Sequence, residues 1–339
     1  MKQYNYCLDF IKGIACVLVI FMHCEFPGVM GIAVQAISRF CVPFFFMVSG
    51  YFCFQSLNTS DKIVKGGADY NIGFKNKKVI HILKITLFTS LFYLVFAIAQ
   101  SLLFHNINWN IGLRNVFYFI AFNQPIIIVG QLWFLFALLY VYIIYTYIAK
   151  NGYFKQAYIF AALMFVAYIT LAQGMYLLGI NIPNLFYRNF LVEGFAFFML
   201  GHWIHKNQAM FTVSNKSLHF IIVITTLLCL IERYLLGRDF GVNICTIPQV
   251  SCLFIYAVCN PKYHKGLIQE IGKRYSMYIY ILHPFVWHSL EYIYGYYNIQ
   301  TNVLALYIMP LLVLFLSLLI SHIVYACNNR LKTINISYA

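Results

Sequence analysis

This chain predicts an all-α, polytopic membrane bundle of about ten spanning helices with both termini cytoplasmic, and three observations carry that prediction. Hydrophobic residues make up 62% of the 339 and charged residues only 9%, with a mean hydropathy of +0.76. That composition belongs to chains solvated by lipid rather than water. Apolar stretches long enough to cross a hydrocarbon layer recur along the whole length. Basic residues gather in every second connecting segment.

The stretches lie near 8–26, 33–56, 80–104, 127–149, 156–177, 187–206, 217–236, 242–259, 275–292 and 302–326. With the N-terminus inside, the inner segments hold Lys2, Lys62, Lys65, Lys75, Lys77, Lys78, Lys150 and Lys155. They continue with Lys206, Lys216, Lys262, Lys265, Lys273, Arg274, Arg330 and Lys332. The outer side receives only Arg39, Arg114, Arg188, Arg233 and Arg238. This positive-inside bias accounts for most of the net charge of +14. A nucleic-acid partner is excluded, because no basic soluble face interleaved with aromatics is present. Little chain remains for a soluble domain, so residues 1–339 are expected to form one transmembrane domain. Asp9 and Lys12 interrupt the first stretch and no small-residue cleavage site follows, so the first helix is expected to be retained.

The first span, LDFIKGIACVLVIFMHCEF, carries Asp9, Lys12 and His23. Eleven residues at 100° each close about three turns, so Lys12 and His23 share a face, separated by a rise of roughly 16 Å. Ionisable groups inside a span are costly and are normally kept for a pathway or a reaction. The second span opens at Arg39 in SRFCVPFFFMVSGYF, with Pro43 in its first turn, where a missing N–H costs little. Ser49 and Gly50 lie deeper, and small residues there allow helices to approach closely. The Gly-, Asn- and Lys-rich segment 57–79 is expected to be a mobile inner loop.

Lys78, His81 and Lys84 recur every three residues at the start of the third span and share a face. Anchoring explains the first of them; a ligand with several phosphates explains the run, and together with Lys12 it forms a candidate phosphate-binding mouth. Trp133 in QLWFLFALL reads as packing or interfacial anchoring. Arg188 and Glu193 enter the sixth span together in YRNFLVEGFAFFMLG and are expected to pair. His202 and His205 form an HxxH without a third ligand at suitable spacing, so no metal site is expected.

In SMYIYILHPFVW, His283 precedes Pro284, where a polar side chain can serve a carbonyl freed by the proline. The ten cysteines include no CxxC pair and read as small buried hydrophobes. The run YIYGYYN at 292–298 reads as an interfacial aromatic belt.

These stretches resemble the acyltransferase 3 family, multi-pass membrane enzymes that O-acylate surface glycans and related acceptors. The basic-x10-His spacing of Lys12 and His23, then SRFCVPFFFMVSGYF, QLWFLFALL, RNFLVEGFAFFMLG and SMYIYILHPF follow the family's order over residues 8 to about 286. Lysine at the first basic position is a variant of the pattern. The arginine pair often found before the third span is replaced by Lys78, His81 and Lys84, and the esterase-like domain that some members append is expected to be missing.

The resemblance implies acyl transfer from cytoplasmic acyl-CoA, usually acetyl-CoA, to a hydroxyl on the far side of a bacterial cytoplasmic membrane. Lys12, Lys78, His81 and Lys84 would hold the donor's phosphates, and the pantetheine arm would run from Lys12 toward His23. His23 is then the candidate catalytic residue, as general base or as acyl carrier. Arg39 and Arg188 are candidates for stabilising an oxyanion or holding an acidic acceptor, with Glu193 beside them. Asp9, Ser49, Trp133 and His283 complete the expected pocket. Expected partners are a glycan or other hydroxyl-bearing acceptor and the bilayer; the oligomeric state is not legible. A transporter would use the same ionisable residues, but its inverted repeats and matched broken helices are not seen in the sequence.

Overall fold

The structure, a computed structural model, describes residues 4–60, 72–104, 112–125, 130–299 and 302–337. Of the loop expected at 57–79, residues 61–71, with Lys62 and Lys65, lie outside the described residues; 57–60 and 72–79 are helical rather than loop. Among the described residues every regular element is helical. In order they are α1 (Tyr6–His23), α2 (Gly28–Ser38), α3 (Cys41–Ser60), α4 (Ile72–Phe104), α5 (Leu113–Phe122), α6 (Trp133–Asn151) and α7 (Phe154–Ile169). The chain continues through α8 (Met175–Leu177), α9 (Ala196–Lys206), α10 (Asn215–Leu236), α11 (Thr246–Cys259), α12 (Leu267–Glu270), α13 (Ser276–Tyr296) and α14 (Val303–Ser337). Wider π-helical turns fall at Thr170–Gly174, Phe190–Phe195 and Ile271–Tyr275. Helices are the expected solution here, since each satisfies its own backbone groups where lipid offers no partner.

Among the described residues seven segments are long and apolar enough to cross a membrane: 6–23, 28–54, 77–102, 130–151, 154–177, 215–236 and 303–330. They correspond to the first five, the seventh and the tenth of the expected spans. The remaining three are helical as well but fall short by length or polarity. Helix α9 has 11 residues behind its π turn, and α11 has 14. Helix α13 has 21 residues and carries His283, His288 and Glu291 among its apolar positions. The expected second span is built from two helices, α2 and α3, with Arg39 as the residue that closes α2.

The chain divides into two compact units. One comprises residues up to Val42 with those from Val213 onward; the other is Pro43–Thr212. In the first unit α1 is central, packing on α2, α11, α12, α13, α14 and the π turn at Ile271–Tyr275. Glycines set its closest approaches. A Cβ on Gly13 would stand 2.0 Å from the Ile268 carbonyl oxygen, and one on Gly272 would stand 1.8 Å from that of Asp9. Only hydrogen in place of a side chain permits such backbone contact. The start of α1 is pinned as well: Asn5 caps it by accepting from the Leu8 N–H at 2.8 Å, while its own amide donates to the Ala257 carbonyl at 2.9 Å.

In the second unit α6 packs on α4 and on the Phe190–Phe195 turn, and α7 packs on α9. Here too the close crossing is made by glycine: Gly50 meets the Phe198 carbonyl and Gly201 the Met47 carbonyl. The small-residue reading of Ser49 and Gly50 holds, with Gly50 at the contact. The Ser49 hydroxyl turns back to its own helix and donates to the Phe45 carbonyl at 2.9 Å.

Candidate functional site

His23 is the last residue of α1, half-buried, and its ring stacks on that of His283 from α13. The centroids are 5.5 Å apart and the planes 23° from parallel. His283 is 1% exposed. Its Nδ1 lies 2.9 Å from the Ile279 carbonyl oxygen, so that nitrogen carries the hydrogen and donates it. Its Nε2 is then a lone-pair acceptor, buried without a partner among the described residues. Serving a helix carbonyl, as the neighbouring Pro284 suggested, therefore accounts for one nitrogen of the ring and leaves the other. A buried acceptor without a partner costs about 1–3 kcal/mol, which calls for an explanation.

Nearer the other end of α1, the Lys12 ammonium bonds the Asp9 carboxylate at 2.8 Å, and the Tyr4 hydroxyl donates to the second carboxylate oxygen. Burial, then Asp9, pushes the Tyr4 phenol above its ordinary range. Asp9 thus belongs to Lys12. Two lysines counted in the sequence only as topology stand beside this start. Lys273 lies 4.8 Å over the Tyr4 ring and Lys265 lies 4.6 Å over the Tyr6 ring. Nothing in their spacing singled them out, because the π turn and the loop that carry them are positioned by tertiary packing.

Arg39 is 6% exposed and forms an ion pair with Asp239, from the loop after α10; a second guanidinium nitrogen meets the Met22 sulfur at 3.1 Å. Met22 directly precedes His23, so this pair braces the end of α1. Asp239 went unnoticed in the sequence, where it is one acid beside Arg238 in a loop.

The remaining expected site residues lie in the second unit. Lys78 donates to the Phe52 carbonyl at 3.2 Å, whereas His81 and Lys84 are exposed on the face of α4 that also exposes Leu83, Leu87 and Phe88. The expected Arg188–Glu193 pair does not form among the described residues. Asn189 caps the Phe190–Phe195 turn with an extended backbone, accepting from the Leu191 and Val192 N–H groups at 2.9 and 3.0 Å. Arg188 precedes that cap, so helical spacing to Glu193 does not apply to it. Its guanidinium lies over the Trp133 indole, 5.0 Å from the ring centroid, while Glu193 is buried within the π turn.

Trp133 opens α6, and its carbonyl accepts from the Asn123 amide at 3.2 Å; the Asn123 oxygen in turn accepts from the Phe190 N–H at 2.7 Å. A cavity of about 220 Å³ opens here, lined by Asn123, Gln124, Trp133, Asn184 and Arg188 with their neighbours.

His202 is held by the hydroxyls of Tyr145 and Tyr158 at 3.2 and 2.8 Å, and His205 Nδ1 lies 2.9 Å from the Tyr51 carbonyl oxygen. Both histidines serve packing between helices. Among the described residues no three metal-ligating side chains cluster. All ten cysteines are free thiols, and most are buried.

Compared with known proteins, the chain matches the family model described as an acyltransferase domain, of the acyltransferase 3 type, over residues 5–324. No curated protein and no solved structure matches it.

Proposed function

The chain belongs to the acyltransferase 3 family and is an acyltransferase with several membrane-crossing helices; from that premise we propose that it moves an acetyl group from cytoplasmic acetyl-CoA to a hydroxyl of a surface or lipid-linked glycan. The membrane is the bacterial cytoplasmic membrane, crossed about ten times with both termini inside, as the lysine distribution favours. The observation that carries the proposal is the stacked pair of His23 and His283 at one end of α1, with Lys12 three turns back along the same helix.

Lys12 meets the phosphate end of the donor. Asp9 occupies one of its N–H groups and leaves two, and Lys265 and Lys273 add charge around the same helix start. From Lys12 to His23 the helix rises roughly 16 Å, which the pantetheine arm follows.

At His23 two routes balance. As general base, its imidazole takes the acceptor's hydroxyl proton while that oxygen attacks the thioester carbonyl. The C–S bond breaks, and the imidazolium returns the proton to the leaving thiolate, releasing CoA as the thiol. As acyl carrier, an imidazole nitrogen attacks the thioester carbonyl first, the C–S bond breaks, and the thiolate leaves as the thiol with the proton of the other ring nitrogen; the acceptor oxygen then takes the acyl group from nitrogen while its proton returns to the ring. Positive charge forms on the ring in both routes, and its place at the carbonyl end of α1 favours that charge. His283, with Nδ1 committed to Ile279, offers Nε2 as a fixed acceptor within the same pair. Arg39, bound to Asp239, holds the end of α1 in place.

Purified protein given radiolabelled acetyl-CoA and an acceptor glycan tests the proposal. Label transferred by the wild type and lost in His23→Ala supports it; transfer at the normal rate in His23→Ala ends the assignment of His23. Acid-quenched label on the His23 peptide without acceptor selects the carrier route.

A further inference from the structure

We infer that the cavity beside Arg188 is a recognition subsite for an acidic sugar, one pyranose ring bearing a carboxylate. This rests on the glycan-acceptor reading above and adds the charge class of the acceptor.

Size comes first. At about 220 Å³ the cavity lies below the roughly 300–1,000 Å³ of sites for drug-sized ligands, so it takes a single ring rather than an oligomer.

Charge comes next. Arg188 is half-buried, and among the described residues no carboxylate pairs with it. On the outer side of the membrane, where the lysine distribution puts it, insertion does not require a basic residue. Snorkelling to headgroups is the bland account of such an arginine. Here, however, the guanidinium lies over the Trp133 indole, 5.0 Å from the ring centroid, and both side chains line the cavity, so the indole holds the cation at the cavity wall. A planar fork held in this way matches a carboxylate, which it can bind through two parallel hydrogen bonds.

The walls then separate a charged sugar from a neutral one. Neutral sugars are commonly gripped through an open aromatic face. The Trp133 indole is 7% exposed and lies under Arg188, so it holds the arginine and offers little stacking surface. Discrimination therefore falls to charge. The Asn123 amide is spent at both ends on backbone groups and forms a rigid wall. Asn184 accepts from the Tyr187 hydroxyl through its oxygen, which leaves its N–H₂ as donor, and the exposed Gln124 amide offers both donor and acceptor. These are the groups that meet ring hydroxyls.

The test is binding, measured without any transfer. Saturation-transfer NMR and calorimetry on the full-length protein in detergent compare methyl glucuronide, a single uronic-acid ring, with neutral methyl glucoside. The acid is expected to bind at least tenfold tighter, and Arg188→Gln is expected to abolish that difference. Equal binding of the two by the wild type overturns the inference without recourse to any variant, so a variant that fails to fold does not protect it. A preference that survives Arg188→Gln also overturns it. Competition by glycerol 1-phosphate or inorganic phosphate as strong as by the uronic acid overturns the sugar assignment in favour of a lipid-headgroup or general anion site. Acid-selective binding in a protein that transfers no label would count against the acyl-transfer reading and leave this one standing.

Discussion

His23 and His283 stack at 5.5 Å across two helices 260 positions apart in the chain, and the two rings differ in burial and in partner. His283 is locked by the Ile279 carbonyl and fully buried, while His23 is half-buried at a helix end. His283→Asn separates its two nitrogens, because an asparagine amide reproduces the bond to the Ile279 carbonyl but places nothing where Nε2 was. Near-wild-type thermal stability with at least a tenfold loss of transfer is the expected outcome. Unchanged transfer would show that Nε2 takes no part in the reaction.

His23→Ala is expected to lower acetyl transfer by about 10²–10⁴-fold, the usual contribution of a positioned acid–base group. The loss should appear in kcat, with acetyl-CoA binding little altered in a direct titration.

Lys12→Ala removes a contact proposed to be equally strong in ground and transition states. It should therefore raise KM for acetyl-CoA while leaving kcat nearly unchanged. Asp9→Asn keeps the ammonium and removes its partner, so KM should not rise. A rise in both variants would mean that the ion pair serves only to hold the start of α1.

Arg39 and Asp239 are a structural brace in this arrangement. Asp239→Ala leaves a guanidinium buried without its carboxylate, at a cost of about 2–3 kcal/mol. Asp239 keeps 28% side-chain exposure, which places the cost below that of a fully buried pair. A lowered melting temperature in detergent checks this, and Arg39→Met combined with Asp239→Leu should recover part of the loss.

Gly272→Ala puts a methyl group 1.8 Å from the Asp9 carbonyl oxygen, so α1 and the π turn must separate. A loss of about 1–3 kcal/mol is expected, with transfer impaired because the start of α1 moves. Gly295→Ala, with nothing within 4 Å of the added carbon in α13, should be neutral or stabilising. Equal effects of the two would refute the close crossing.

The membrane class and the helical elements were legible because each depends on local composition: an apolar run satisfies its own backbone wherever it folds. Gly50 was legible too, since a small residue in a span has few other uses. The expectation for Arg188 and Glu193 failed for a local reason. Asn189 accepts from two N–H groups as a cap and breaks the helical spacing between them. His81 and Lys84 do share the expected periodicity, but the same face of α4 carries exposed Leu83, Leu87 and Phe88.

The sequence by itself determined the family, the solvent and the Lys12–His23 spacing, all properties of contiguous residues. Only the tertiary structure decided which distant groups complete them: His283 on His23, Asp239 on Arg39, Trp133 under Arg188. Those partners are chosen by how helices cross, and the crossings are set by backbone contacts such as Gly13 with Ile268 and Gly272 with Asp9. No local pattern encodes such a contact, because its stabilisation depends on what the rest of the chain presses against it.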